Sequence, residues 1–152
     1  MYNNLTKQFE YEEWANNIIY SALEKISGVE RPLLLLSHIL SVHTNWLHRI
    51  KGEEMSCTLF QVRTLRECVE LIPENTRKWK EYLSSVTSEE LARDIHFVSS
   101  LDGSKRIMSV GDAITQILGH SSYHRGQIVA QMKGKIDPLP ATTYIMFASR
   151  LE

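Results

Sequence analysis

Four segments of this chain repeat apolar side chains at intervals of three and four residues, the period of a helix with one buried face. The first runs from about Leu5 to Ile26. Leu5, Phe9, Ile19, Leu23 and Ile26 share its stripe, Trp14 and Ile18 lie beside it, and Gly28 supplies a stop signal. The second runs from about Pro32 to Ile50, with Leu35, Ile39, Val42 and Trp46 inward and Lys51-Gly52 at its end. Proline suits its first turn, where a missing N–H costs nothing. The third begins after Thr64, because Thr64-Leu-Arg-Glu67 has the form of a capping box. It continues through Trp79 and Tyr82 to Leu83, and Pro73 inside it predicts a kink or short break. The fourth starts near Ser109, where Ser109-Val-Gly-Asp112 resembles a capping box with a shorter acid, and runs to about Lys133 before Gly134.

The stretch before the fourth helix has a different pattern. His96–Ser100 and Lys105–Met108 read as short strands, and Asp102-Gly103 between them is a hairpin turn signal. After Asp137 the tail holds Pro138 and Pro140, then an apolar turn at Tyr144–Phe147. The expected fold is all-α: a single-domain four-helix bundle over residues 1–152 with a small β-hairpin before its last long helix. The short link between the first two helices favours antiparallel neighbours. The long link between the last two permits a crossover.

Composition narrows the class. The chain has 152 residues, 43% hydrophobic and 23% charged, which suits one domain with a sizeable core. Its 17 basic and 18 acidic residues nearly cancel, which argues against a broad surface for nucleic acid. No apolar run approaches the ~20 residues of a membrane span. Met1-Tyr-Asn-Asn-Leu5 lacks the pattern of a signal peptide, so a cytoplasmic location is expected. Cys57 and Cys68 show neither metal nor redox spacing and are expected to be free thiols.

The histidines carry the chemistry. His120 and His124 are four residues apart on the fourth helix, roughly 40° and ~6 Å from each other, so their rings can converge on one point. They continue the stripe Ala113, Ile117, Ile128, which faces the core. On the second helix, the spacing Leu35, His38, Val42, Trp46 places His38 inward as well. A buried imidazole must find partners for two ring nitrogens. One inward histidine is ordinarily a satisfied core residue; three on two helices point to a metal site built between them. Three neutral histidines leave one position of a tetrahedral ion open, the mark of a catalytic rather than a structural site. His43 lies about 140° around from His38 and is expected to face outward. His48 and His96 are read as surface or loop residues. No glutamate abuts the histidine pair as in His-Glu-x-x-His, which disfavours metalloprotease chemistry.

These residues resemble those of the DinB family (DinB/YfiT-like proteins). The matching strings are Tyr11-Glu-Glu-Trp-Ala-Asn16, Leu36-Ser-His-Ile-Leu40 with Trp46, His120-Ser-Ser-Tyr-His-Arg-Gly-Gln127, and the exit Pro138-Leu-Pro-Ala-Thr-Thr-Tyr144. The resemblance implies up-down-down-up topology, often a homodimer, and a divalent metal, nickel or zinc, on His38, His120 and His124. Characterised relatives include thiol-S-transferases using low-molecular-weight thiols and a thiol-dependent isomerase. Two positions depart from the pattern. Gly119 stands where the family often has Asn, and Tyr123 replaces a frequent histidine.

Neighbouring residues carry weaker expectations. Gln127 is placed to accept the free N–H of a ligand histidine. Arg125 reads as a structural salt bridge near a dimer surface. Asn16 reads as an inward polar residue bonding the backbone of a neighbouring helix. Glu12 and Glu13 are the nearest carboxylate bases, although such residues are more often solvated. The expected function is a metal-dependent transferase or hydrolase acting on a small molecule, a low-molecular-weight thiol among the candidates, with no nucleic-acid or membrane partner. The alternative is a non-catalytic stress-response or interaction protein whose metal serves as a staple. Trp14, Trp79 and the Tyr144–Phe147 turn supply the apolar surface expected for a homodimer.

Overall fold

The computed structural model describes residues 2–151. It is mostly helical, with one two-stranded antiparallel hairpin. In chain order the elements are α1 (Tyr2–Leu23), α2 (Glu30–Lys51), α3 (Leu65–Leu83), α4 (Ser88–Ala92), β1 (Asp94–Val98), β2 (Lys105–Ser109), α5 (Val110–Gln131) and α6 (Tyr144–Ala148). Among the described residues no helix is long and apolar enough to cross a membrane.

Local signals explain the element ends. The Thr64 hydroxyl accepts from the Glu67 N–H and the Glu67 carboxylate accepts from the Thr64 N–H, which closes the capping box that starts α3. Ser109 caps α5 by accepting from the Asp112 N–H. Gly52 ends α2 at φ 73° and ψ 20°, a left-handed conformation that costs glycine little. Gly103 takes φ 71° in the hairpin loop, as its place after Asp102 predicts.

Some boundaries differ from the sequence expectation. α1 ends at Leu23 rather than Ile26, and the first strand begins at Asp94 rather than His96. Its register pairs Ile95 with Met108 and His96 with Ile107. α3 passes through Pro73 without a break. That proline is exposed, while Cys68, Ile72, Thr76, Trp79 and Leu83 are buried along the other side. Burying that face outweighs one missing hydrogen bond.

Two apolar clusters lie at opposite ends of the long helices. One joins Phe9 of α1, Leu47 and Ile50 of α2, Trp79 and Leu83 of α3, and Val110 to Ile117 of α5. The other joins Ile19 to Leu23 of α1, Leu35 to Leu40 of α2, Cys68 and Ile72 of α3, and Ile128 of α5. The start of α1 thus meets the ends of α2 and α3 and the start of α5. α1 and α5 run one way; α2 and α3 run the other.

Between the clusters, each long helix contributes buried polar residues at mid-length. These are Glu12 and Asn16 on α1, Ser41, His43 and Asn45 on α2, Asn75 and Thr76 on α3, and Ser121 and Arg125 on α5. Buried polar groups are tolerable only when paired. Asn75 shows how: its amide donates to the Leu40 carbonyl at 3.1 Å and its oxygen accepts from Thr44 at 2.9 Å.

Trp79 closes the first cluster. It is fully buried, stacks on Phe9 at 4.5 Å between ring centroids, and donates its indole N–H to the His43 carbonyl at 3.2 Å. It therefore belongs to the core and not to an outer dimer surface. Trp79→Ala is expected to lower the unfolding free energy by about 3–5 kcal/mol in urea titrations. A loss below about 1 kcal/mol would contradict this placement.

Candidate metal centre

His38 reaches inward from α2 and is 5% exposed. Its Nδ1 lies 2.7 Å from the Leu59 carbonyl, in the segment 53–64 that links α2 to α3. A carbonyl only accepts, so the proton sits on Nδ1 and the Nε2 lone pair is free. His124 is held in the same manner: its Nδ1 lies 2.7 Å from the Gln127 side-chain oxygen, one turn further along α5. Gln127 thus does what its spacing predicts.

The free nitrogens meet at His120. Its Nε2 is 3.1 Å from Nε2 of His38 and 3.1 Å from Nε2 of His124. One proton on His120 Nε2 could serve only one of these contacts. The other would be left at 3.1 Å with no proton between its nitrogens. His120 Nδ1 is buried and has no hydrogen-bond partner among the described residues. Burial lowers the pKa of His38, partly opposed by the bond to Leu59. Burial, then the imidazoles of His124, His38 and His43, push His120 down to about 4. Neutral imidazoles with convergent lone pairs are what a divalent cation accepts. The ligand atoms lie within 4.8 Å of one another. The donor set therefore fits a divalent ion, and the three predicted residues are brought together.

Behind the triad the structure departs from expectation. His43 is buried at 2% exposure, although its angle from His38 placed it outside. The angular argument assumed one inner face, but α2 is enclosed by neighbours and every residue from Leu35 to His43 is buried. His43 Nε2 lies 2.8 Å from the Ser121 hydroxyl oxygen. Ser121 donates its own proton to the Ile117 carbonyl, so it accepts from His43. His48 bonds the Glu54 carbonyl at 2.8 Å, and His96 is exposed on β1, as expected of surface and loop residues.

Glu12 is a buried structural anion and not a solvated base. The Arg125 guanidinium donates to both its oxygens, at 2.6 Å and 2.8 Å. Arg125 is itself 1% exposed, so the salt bridge is buried, and it also donates to Asn16, Tyr11 and Ser122. Asn16 is inward as predicted, but it bonds a side chain instead of a neighbouring backbone. Burial raises the Glu12 pKa; the bonds from Arg125 and His43 more than reverse this and leave it well below the usual 4.5. No spacing rule could pair residues 113 positions apart. The available signal was an arginine next to an inward histidine, which had to point at a neighbouring helix.

Cys57 and Cys68 are free thiols, and burial raises the Cys68 thiol to about 11. Neither joins the histidines. Grooves of about 670 Å³, lined by Glu10, Trp14, Pro73 and Lys80 among others, and about 580 Å³, beside Tyr11 and Arg125, lie elsewhere on the surface.

The three converging histidines and the helices that carry them define a class of helical protein equipped to bind a metal ion. The DinB family model matches residues 1–148, so the chain belongs to the DinB family. No curated protein matches the chain.

Glu12→Gln keeps the shape but removes the charge facing Arg125. It is expected to cost about 3–5 kcal/mol, since it strands a buried cation. A carboxylate with a depressed folded pKa adds stability above its unfolded value and loses it as pH falls toward the folded one. Thermal melts should therefore show the gap between wild type and Glu12→Gln narrowing as pH drops below 4.5. A gap constant from neutrality to about pH 3 would show that the ion pair is not the source.

Proposed function

We propose that this protein is a metal-dependent enzyme of the thiol-transferase or hydrolase type, with nickel or zinc held by His38, His120 and His124. One observation carries the reading: three imidazole nitrogens converge while oxygen acceptors anchor the opposite edges of His38 and His124. The chemistry such an ion supplies is to lower the pKa of a thiol or water until thiolate or hydroxide is present near neutral pH.

The chain's own residues do the rest. The Leu59 carbonyl and Gln127 fix the tautomers of two ligands. The His43–Ser121 bond holds α5 beside α2 at the level of His120. Glu12 is committed to Arg125 and is not free to take a proton from a nucleophile. Glu12 therefore would not serve as the base at this centre. The substrate is a small molecule, and a low-molecular-weight thiol is the co-reactant we favour.

We further propose that the long helices form a four-helix bundle in the up-down-down-up order, a reading their directions support, and that the protein works as a cytoplasmic homodimer. The exposed Ile145 and Met146 on α6 are the apolar residues nearest the expected contact. The placement of the grooves of about 670 Å³ and 580 Å³ away from the triad favours the rival reading, a non-catalytic metal staple. Turnover decides between them.

Protein purified without an affinity tag should carry close to one equivalent of nickel or zinc by elemental analysis. His120→Ala should fall well below that, while His96→Ala stays unchanged; equal metal in both variants rejects the triad. Gln127→Ala should weaken metal affinity roughly 10–100-fold. The loaded protein should consume a generic electrophile in the presence of thiol, or hydrolyse an activated ester. Retained metal with neither activity leaves the staple reading. Light scattering should give twice the 17.5 kDa chain mass, and a clean monomer removes the dimer.

A further inference from the structure

Two aromatic rings stand out by their exposure. Phe60 is 49% exposed and Tyr123 is 65% exposed, and no other described aromatic side chain is as open. Each lies against a histidine of the triad. The Phe60 ring is parallel to that of His38, at 4.0 Å between centroids and 2° between planes. Tyr123 meets His124 edge-on at 5.1 Å and 75°. They come from separate elements, the segment 53–64 and α5. Among the described residues neither has another ring partner.

Phe60 is fixed where it stands. The carbonyl before it, on Leu59, accepts from His38, and the carbonyl after it, on Gln61, accepts from the Ser37 hydroxyl. Asn45 holds the Cys57 carbonyl at 2.8 Å, and Arg63 donates to Ser37 and Ser41. The segment is pinned to α2 along its length, yet it leaves the Phe60 ring half in water. Met55 and Val62 of the same segment are exposed as well. Shielding His38 accounts for the inner face of Phe60. It does not account for a bare outer face, nor for a second open ring against the neighbouring ligand. Exposed apolar surface held rigidly beside a reactive centre is characteristic of a binding site, because a preorganised ring loses little freedom on stacking.

We infer that Phe60 and Tyr123 form an aromatic rim that selects the substrate, and that this substrate carries a planar aromatic or conjugated group next to the atom presented to the histidines. The inference rests on reading the triad as a metal-dependent reaction centre. Offset and edge-to-face ring contacts of this kind favour an aromatic group over a saturated one of equal size by about three- to tenfold.

The experiment has one arm without metal and one with it. In the first, benzyl alcohol and cyclohexylmethanol are titrated into the metal-free protein and ring-proton NMR signals are followed. Benzyl alcohol is expected to shift the signals of Phe60 and Tyr123 saturably and to bind about three- to tenfold more tightly. In the second, phenylmethanethiol and cyclohexylmethanethiol are compared on zinc-loaded protein by calorimetry, with the same preference expected. Phe60→Leu keeps apolar bulk on an exposed segment and should abolish the preference; Tyr123→Leu should reduce it. Equal affinities for the ring and its saturated partner in the wild type overturn the inference, as does a preference that survives both substitutions. If zinc does not bind but the first arm shows the preference, the rim stands and the metal reading falls.

Discussion

The Glu12–Arg125 ion pair is the constraint around which the centre of the molecule is organised. Both groups are fully desolvated, and their attraction offsets that cost only because the contact is two-pronged and the same Nη atoms of Arg125 also reach Asn16, Tyr11 and Ser122, while its buried Nε has no partner among the described residues. Arg125 follows His124 directly, so its side chain leaves α5 about 100° around from the histidine. Locking Arg125 to α1 therefore fixes how α5 is rotated. His120 and His124 are turned toward α2 as a consequence. Tyr11 extends the same arrangement outward by donating its hydroxyl to the Thr142 carbonyl at 2.7 Å, which ties the tail to α1.

The other half of the site depends on α2. Its buried polar residues do not pair among themselves but reach sideways to neighbouring segments. Ser37, His38 and Asn45 hold the carbonyls of residues 61, 59 and 57, and His43 reaches Ser121. One helix thus positions a ligand histidine, the segment that covers it and the helix carrying the other two ligands. This explains a polar layer between two apolar clusters, where an all-apolar interior would have been simpler. The layer costs desolvation, and its groups are matched so specifically that a shift of one helix by a turn would leave several of them unpaired.

Membership of the DinB family and the geometry of the triad support each other. The family match covers residues 1–148; the triad supplies the chemistry a metal would need. The bare rings of Phe60 and Tyr123 are features of this chain's own surface.

Much of the site was legible in the sequence because it depends on helical spacing. His120 and His124 are four residues apart on a long uninterrupted helix, His38 lies on the stripe of Leu35, Val42 and Trp46, and Gln127 is one turn beyond its partner. Those relations are local and follow from 3.6 residues per turn. The capping box at Thr64 and the turn at Asp102-Gly103 were readable for the same reason. Local pattern could not tell that His43 is enclosed, that Glu12 is an anion buried against Arg125, that Trp79 lies inside, or that α3 passes Pro73 unbroken. Each of those depends on which neighbour covers a given face. The sequence alone determined the long helices and the spacing of residues along them; the tertiary structure alone decided which faces are covered and which meet, because burial and long-range pairing are properties of the packed chain.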